Sequence, residues 1–373
     1  MTDTVATIAG KDAEDRVAVA SNWRLVWWRF RRHHLAMASA GLLILLYLVV
    51  LVPNFFSTQD PERTDARQAF IPVQMVHFFD DGRLSPWVPA IVGKRNPTTL
   101  RMEWVTDPQK KVPVRFFGPG FTWRVFGLFD TDIHLIAPAD PAQRIFLLGS
   151  DRLGRDQWSR IMHGTQTSMT VGLVAVTLSV IFGVVLGGMS GYFGGVTDLV
   201  IQRLIELLQS VPTIPIWLAL SAALPRDWTP IQVFFAITVI LSLIGWTTLA
   251  REVRGRFLAL REEDFVLAAR LAGCSRMRII LRHMVPTFMS HIIATSSLAI
   301  PVMIINETSL SFLGLGIRPP AISWGVLLQE AQNIQTLALA PWLLIPGIVV
   351  IVAVLAFNLV GDGLRDASDP YSH

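Results

Sequence analysis

The chain has 373 residues, 52% apolar and 16% charged, with a formal net charge of +4 and one cysteine. Ordinary soluble domains carry nearer a quarter charged residues, and the mean hydropathy here is positive, so the composition excludes an ordinary soluble globular chain and favours a membrane. The lone Cys274 excludes an intrachain disulfide framework and a cysteine-based metal site, and the slight basic excess calls for no nucleic-acid partner because membrane topology accounts for where the arginines fall.

A membrane-spanning helix needs roughly 20 mainly apolar residues, and runs of that kind recur along the chain. Arg24, Arg29, Arg31 and Arg32 crowd the front of the first run, residues 35–56, which carries no charge. It is longer than the apolar core of a signal peptide and no small-x-small cleavage site follows it, so it reads as an uncleaved anchor. Residues 57–160 are different in kind. Their mixed charges, prolines and tryptophans (Trp87, Trp104, Trp123) predict a small folded elaboration. Further apolar runs follow at 166–193, 204–224, 231–250, 287–312 and 337–360, giving six spans. No tandem repeat or low-complexity tract interrupts them.

Arginines near the span ends orient the chain, because lysine and arginine in short loops stay on the cytoplasmic side. Between the fourth and fifth spans lie Arg251, Arg254, Arg256, Arg261, Arg270, Arg276, Arg278 and Arg282, whereas the short connections after the third and fifth spans offer only Arg226 and Arg318. An even number of crossings separates this insert from the basic amino-terminal region, so both are expected inside, with the carboxyl tail at Arg365. The 57–160 segment is then extracytoplasmic.

Residues 251–286 form the most informative stretch. On a helix, Ala268 and Ala272 stand four apart, as do Ala269 and Gly273, which predicts one shallow stripe of small residues flanked by Phe265. Glu262, Glu263 and Asp264 suit a helix amino terminus, and Gly273 suits its carboxyl-terminal stop, with Arg276 and Arg278 beyond. The expectation is a short helix, a break, and a second helix entering the membrane through Pro286. An amphipathic cytoplasmic helix with no partner satisfies the same pattern.

Within the spans, Gly183, Gly187 and Gly191 recur every four residues and predict a smooth face for tight helix packing. Pro212 and Pro215 interrupt the third span. Backbone groups freed at membrane depth are tolerated where protein or a water-filled cavity satisfies them, so these prolines are candidates for a translocation path, or a plain kink. Glu307 is a stronger candidate, because an ionisable residue inside a span is costly and usually faces the bundle interior or a cavity; a structural hydrogen bond is its other reading. Glu206, beside Arg203, reads as a boundary charge. The eight histidines are scattered, and none forms the closely spaced helical pair of a metal site.

Three ordered segments carry a resemblance to a known family. Ala268-Ala269, Gly273 and the closing Pro286 resemble the signature by which permease subunits of bacterial ABC importers engage their ATPases. The stretch 148–156, Leu-Gly-Ser-Asp-Arg-Leu-Gly-Arg-Asp, with Ser159, Arg160 and Gly164, resembles the segment before the second span in the oligopeptide/dipeptide/nickel class of these permeases. So does 307–316, Glu-Thr-Ser-Leu-Ser-Phe-Leu-Gly-Leu-Gly, with Pro319, Pro320, Ser323, Trp324 and Gly325 after it. The resemblance covers roughly residue 148 to the carboxyl end; it is weak over the insert, and the first span matches only in placement. One departure is Leu267, where the family usually has glutamate, and Asp264 or Glu263 one turn earlier is the available substitute.

The resemblance implies an all-α membrane protein, six transmembrane helices of type I ABC importer permease architecture with the long extracytoplasmic insert between the first two. It divides the chain into a cytoplasmic tail (1–34), an anchor helix (35–56), the insert (57–160), a permease core (161–365) with coupling segment 251–286, and a cytoplasmic tail (366–373). Asp264, Leu267, Ala268, Ala269, Arg270, Gly273 and Pro286 become the ATPase-coupling residues. No phosphate-loop motif occurs in the chain, so ATP and Mg are expected on two partner ATPase subunits and no cofactor on this one. A second, homologous permease and an extracytoplasmic solute-binding protein complete the implied assembly in a bacterial inner membrane. The insert would cap the pore mouth or touch the binding protein. An ion-coupled carrier would need intramembrane ionisable groups and often an internal repeat, and a non-transporting scaffold leaves the three ordered segments unexplained.

Overall fold

The computed structural model of the protein describes residues 22–368 apart from 81, 96, 98–101 and 226. Arg226 and the far ends of both predicted tails lie outside the described residues. Helix α1 (Asn22–Arg32) buries Phe30 and breaks at His33, whose Nδ1 accepts the N–H of Ala36 at 3.4 Å to cap α2 (His34–Leu51). A single proline-started turn, α3 (Pro53–Phe56), closes the first predicted span.

The insert is a β structure, which the all-α class did not include. Strands β1 (His77–Asp80), β2 (Arg83–Arg95), β3 (Met102–Val125) and β4 (Phe129–Pro138) form an antiparallel sheet in that order. Val88 pairs with Val112, and Val114 with Pro138. Alternation decides the faces: Val112 and Val114 are buried while Lys111, Pro113 and Arg115 are exposed. Val88, Ala90, Val112 and Val114 pack with Ile145, Leu147 and Trp158, which seats the sheet on the start of the next helix.

That helix, α4 (Gln157–Phe193), has 37 residues and so a length of about 55 Å. It is followed by α5 (Gly195–Ser210) and α6 (Thr213–Ala222), which meet at an 85° bend, and by α7 (Pro230–Leu260), whose start carries a reciprocal Thr229–Gln232 capping box. The short α8 (Asp264–Leu271) comes next. A single turn, α9 (Arg276–Arg278), runs through a π-helical stretch (Ile279–Met284) and a 3-10 turn (Val285–Phe288) into α10 (Met289–Phe312). Helices α11 (Trp324–Glu330), α12 (Ile334–Leu339) and α13 (Ile345–Ser368) complete the fold.

Among the described residues, five helical segments are long and apolar enough to cross a membrane, and the bent pair α5–α6 makes a sixth when it is taken as one span. Packing explains why the pair must count as a crossing. Helices α4 and α7 run parallel, since Gly183 lies against Leu249 and Gly191 against Phe257. Two successive parallel spans require a return between them. The pair supplies it: Asp198 bonds Arg254 near the end of α7, Gln209 bonds Thr247 further back, and Trp217 joins Ile237, Ile240 and Leu241.

The predicted packing glycines lie along this parallel seam. A Cβ at Gly191 would stand 2.6 Å from Phe257 Cβ and 2.7 Å from the carbonyl oxygen of Arg254, and one at Gly187 would collide with the backbone of Ala250. Only glycine lets the two backbones approach so closely. At the far end of α4, Arg29, Arg256, His291 and Ser368 line one cleft. The two basic regions therefore share one end of the bundle, and the sheet occupies the other.

Candidate coupling surface and translocation path

Helix α8 projects from the arginine end. Its inward side is fixed by Val266 and Ala269, which join the buried cluster of Val253, Phe257, Ile279 and Met284. Asp264, Phe265, Leu267, Ala268, Leu271 and Gly273 are exposed. The sequence expectation of one small-residue stripe is thus divided: Ala269 faces the bundle, while Ala268 and Ala272 face out. Asp264 shares the outward face with Leu267 and Ala268, spaced three and four residues apart.

Gly273 ends the helix for a conformational reason. It has φ +72°, its N–H donates to the carbonyl of Arg270 at 3.0 Å, and the Cys274 N–H donates to that of Ala269 at 3.1 Å. These two bonds form a Schellman closure, which calls for a left-handed residue. Open space surrounds the position where its Cβ would be, so the backbone and not crowding within the chain demands glycine. Beyond it, Arg270 stacks over Tyr192 at 5.1 Å and Arg276 over Phe193 at 5.7 Å, tying the helix and its exit turn to the end of α4. Asp198 receives two bonds from Arg254, at 2.5 and 2.6 Å, pinning the start of α5 to α7 at the same level. Pro286 lies apart from α8, exposed in the 3-10 turn before α10.

A cavity of about 340 Å³ opens between α4, the bent pair, α7 and α10. Ser179, Gln209, Thr213, Trp217, Thr248 and Asn306 are among its lining groups, which are hydroxyls, amides and apolar side chains without a formal charge. Gln209 Nε2 donates to Thr247 Oγ1 at 3.0 Å across it. Pro212 caps α6 and Pro215 falls in its first turn, where backbone N–H groups have no intrahelical partner in any case. The prolines therefore mark the bend without costing helical bonds. Both are exposed in this chain, and neither is in the cavity lining, although Thr213 between them is.

Glu307 is placed elsewhere. It is fully buried, and it accepts hydroxyl bonds from Ser168 at 2.7 Å and Ser311 at 2.8 Å. Ser168 Oγ also accepts the Trp324 N–H at 3.1 Å, and the Trp324 indole donates to Thr165 at 3.2 Å. Of the two sequence readings, this geometry fits the structural hydrogen bond: Glu307 knots α4, α10 and α11, and its neighbour Asn306 takes the cavity position. Glu206 is an exposed partner of Arg203 at 2.7 Å, as its boundary position suggested.

Two of the three ordered sequence segments, 148–164 and 307–325, converge on the same knot. Asp151 and Arg160 are almost wholly buried and paired, Arg155 reaches Asp151 at 2.6 Å and Glu330 at 2.7 Å, and Arg160 lies 3.2 Å from Glu330. Two acids and two bases thus balance at the joint of α4 and α11. Asp156 caps α4 with bonds from Ser159 N–H at 2.9 Å and Thr58 Oγ1 at 2.9 Å; burial pushes its pKa up, opposed by these bonds. Glu330 was missed by sequence reasoning. Its partners stand some 170 residues earlier, and a carboxylate at a helix end gives no local sign of them.

Fold and site together define a polytopic helical membrane subunit with a rigid knot at one end and an exposed, capped helix at the other. A family model described as binding-protein-dependent transport system inner membrane component matches residues 183–371, and one described as the N-terminal TM domain of oligopeptide transport permease C matches residues 21–72. The second match corrects the expectation that the first span resembles the family in placement alone. The chain is 35% identical over 248 residues to the oligopeptide transport system permease protein OppC of Bacillus subtilis, covering 66% of this chain and 79% of that protein. It is 37% identical over 242 residues to OppC of Haemophilus influenzae, covering 65% and 75%. A chain of the inward-facing MetNI methionine ABC transporter aligns at 16% identity with a TM-score of 0.43, over 56% of this chain and 96% of that one.

The chain belongs to the family of binding-protein-dependent transport system inner membrane components. It is a membrane permease component of an ABC transporter, not an enzyme, and works with other subunits of that transporter.

Proposed function

We propose that this chain is one transmembrane half of an ATP-driven importer of peptides, moved through α8 by separate ATPase subunits. The substrate class follows the relatives, which are named as oligopeptide and dipeptide permeases. The observation that carries the coupling role is the build of α8: held to the bundle through Val266 and Ala269, closed at Gly273, and exposing Leu267, Ala268 and Leu271. An exposed Leu271, 90% accessible, invites an apolar partner surface.

In this reading the arginine end is cytoplasmic, in accord with the bias of arginine toward that side, and the sheet is extracytoplasmic. ATP and Mg act on two partner subunits. A homologous permease supplies the other half of the path, and a solute-binding protein delivers the peptide at the sheet end. The path runs through the uncharged cavity beside the α5–α6 bend, whose hydroxyls and amides suit a substrate of variable side chains. The insert and its knot form the outer lid of the permease core, residues 161–365.

Uptake of a labelled tripeptide by cells with and without the chain tests the whole reading. Loss of uptake on deletion, restored by the wild-type chain and not by a Leu271→Glu variant that still reaches the membrane, is expected. Undiminished uptake without the chain contradicts it.

A further inference from the structure

The cleft at the arginine end is distinct from α8 and from the cavity. Four elements build it: Arg29 from α1, Arg256 from α7, Thr287, Ser290 and His291 around the start of α10, and Ser368 from the end of α13, over an apolar floor that includes Phe288 and Ala367. Its volume is about 380 Å³. No carboxylate is among the described lining residues; Glu252 is bonded to the lining His291 at 3.2 Å. The Thr287 hydroxyl donates to the Met284 carbonyl at 2.6 Å; the two guanidiniums and the Ser290 and Ser368 hydroxyls, on four elements, suit a phosphate oxygen cluster, which accepts several donors at once.

Depth selects the source of that phosphate. The cleft lies where α2 and α10 begin and α13 ends, at the edge of the apolar runs and so at headgroup level. Helix α1 is amphipathic in the manner of an interfacial helix. Phe30 is buried against Ala36 and Ala367, Trp27 and Trp28 are exposed, Arg24 stacks over Trp28 at 5.3 Å, and Arg31 and Arg32 are exposed. Leu35, the second residue of α2, is 64% exposed and begins an apolar flank against which acyl chains can lie.

We infer that this cleft binds the phosphate headgroup of an anionic phospholipid, with Arg29 and Arg256 as the paired anchors, holding α1 to the ends of α7, α10 and α13. Basic pockets between spans are suited to such headgroups. The inference does not depend on the substrate carried or on coupling through α8.

The test is lipid analysis of the full-length chain, purified with its co-expressed transporter subunits in mild detergent, comparing retained phosphatidylglycerol and cardiolipin with retained phosphatidylethanolamine. Arg29→Gln and Arg256→Gln are each expected to lower anionic lipid about fivefold and to leave the zwitterionic lipid unchanged, whereas the Arg31→Gln/Arg32→Gln pair on the same helix has the smaller effect. Arg29→Lys/Arg256→Lys is expected to keep most of the lipid. Should the glutamine variants not be recovered, Ser290→Trp fills the cleft with every charge in place, and loss is again expected. Wild-type retention in the glutamine or tryptophan variants overturns the inference. So does equal thermal protection of the delipidated protein by inorganic phosphate alone, which assigns the cleft to a soluble anion, or equal protection by an acidic peptide, which assigns it to a protein partner.

Discussion

Ser168 on α4 donates its hydroxyl to Glu307 on α10 at 2.7 Å and, through the same oxygen, accepts the backbone N–H of Trp324 at 3.1 Å. A carboxylate held in this way is part of the frame. Removing it leaves buried hydroxyls without an acceptor and opens a cavity, which together cost about 2–4 kcal/mol. Glu307→Ala is therefore expected to lower the melting temperature of the purified protein and to lose uptake in the same proportion, while Glu307→Gln, which keeps one of the two acceptor oxygens and fills the same space, loses less of both. Lost transport at an unchanged melting temperature would return Glu307 to the translocation path.

The charge cluster at the joint of α4 and α11 makes a second stability prediction. Arg160 is 1% exposed and lies between Asp151 and Glu330. Truncating one partner of a buried ion pair typically costs about 3–5 kcal/mol because the other charge is stranded. Glu330 is more accessible than Asp151, so Glu330→Ala is expected near or below the lower end of that range and Asp151→Ala above it. Denaturation monitored by tryptophan fluorescence ranks the two; equal and negligible effects would show that the cluster does not hold the joint.

Glycines separate packing from backbone conformation. Gly187→Ala places a methyl against the backbone of Ala250, whereas Gly255, also on α7, has open space around its Cβ position. The first change is expected to destabilise by about 1–3 kcal/mol through overpacking and to reduce the folded yield, and Gly255→Ala to be neutral or slightly stabilising. Gly273→Ala belongs to a third kind: its cost, about 1 kcal/mol, comes from a left-handed φ. Global melting should barely move, while coupling of transport to ATP falls. Substitution with asparagine, which tolerates that conformation, is expected to restore much of it; restoration by alanine to the same extent would show that the cap is dispensable.

Much of this architecture was legible because its causes are local. Apolar runs of span length, the arginine bias and the stop at Gly273 are each written within a few residues of where they act, and the parity of crossings placed the regions around Arg29 and Arg256 together before geometry did. The return crossing was legible only as a proline-broken run, since the bend at Pro212 depends on how α5 and α6 pack on α7. Pairing in the sheet was not readable, because Val88 meets Val112 through a register that no short window encodes. Likewise, the stripe at 268–273 gave the right helix with the wrong face for Ala269: composition names small residues, but burial of Val266 against Phe257 decides which of them turn inward.

Topology is checked by reporter fusions, which are expected to place residue 93 outside and residue 261 inside. Both on one side would break the agreement between the arginine bias and the shared end of the two basic regions.

The most direct measurement of the central claim is cross-linking from Ala268→Cys in a Cys274→Ser background, using purified transporter with its own ATPase subunits. Position 268 faces outward from α8 and position 269 faces the bundle. The expected result is a cross-link from residue 268 to an ATPase subunit whose yield changes with ATP, and far less from Ala269→Cys. Failure of residue 268 to reach any ATPase subunit in an assembly that still hydrolyses ATP and takes up peptide would contradict the account.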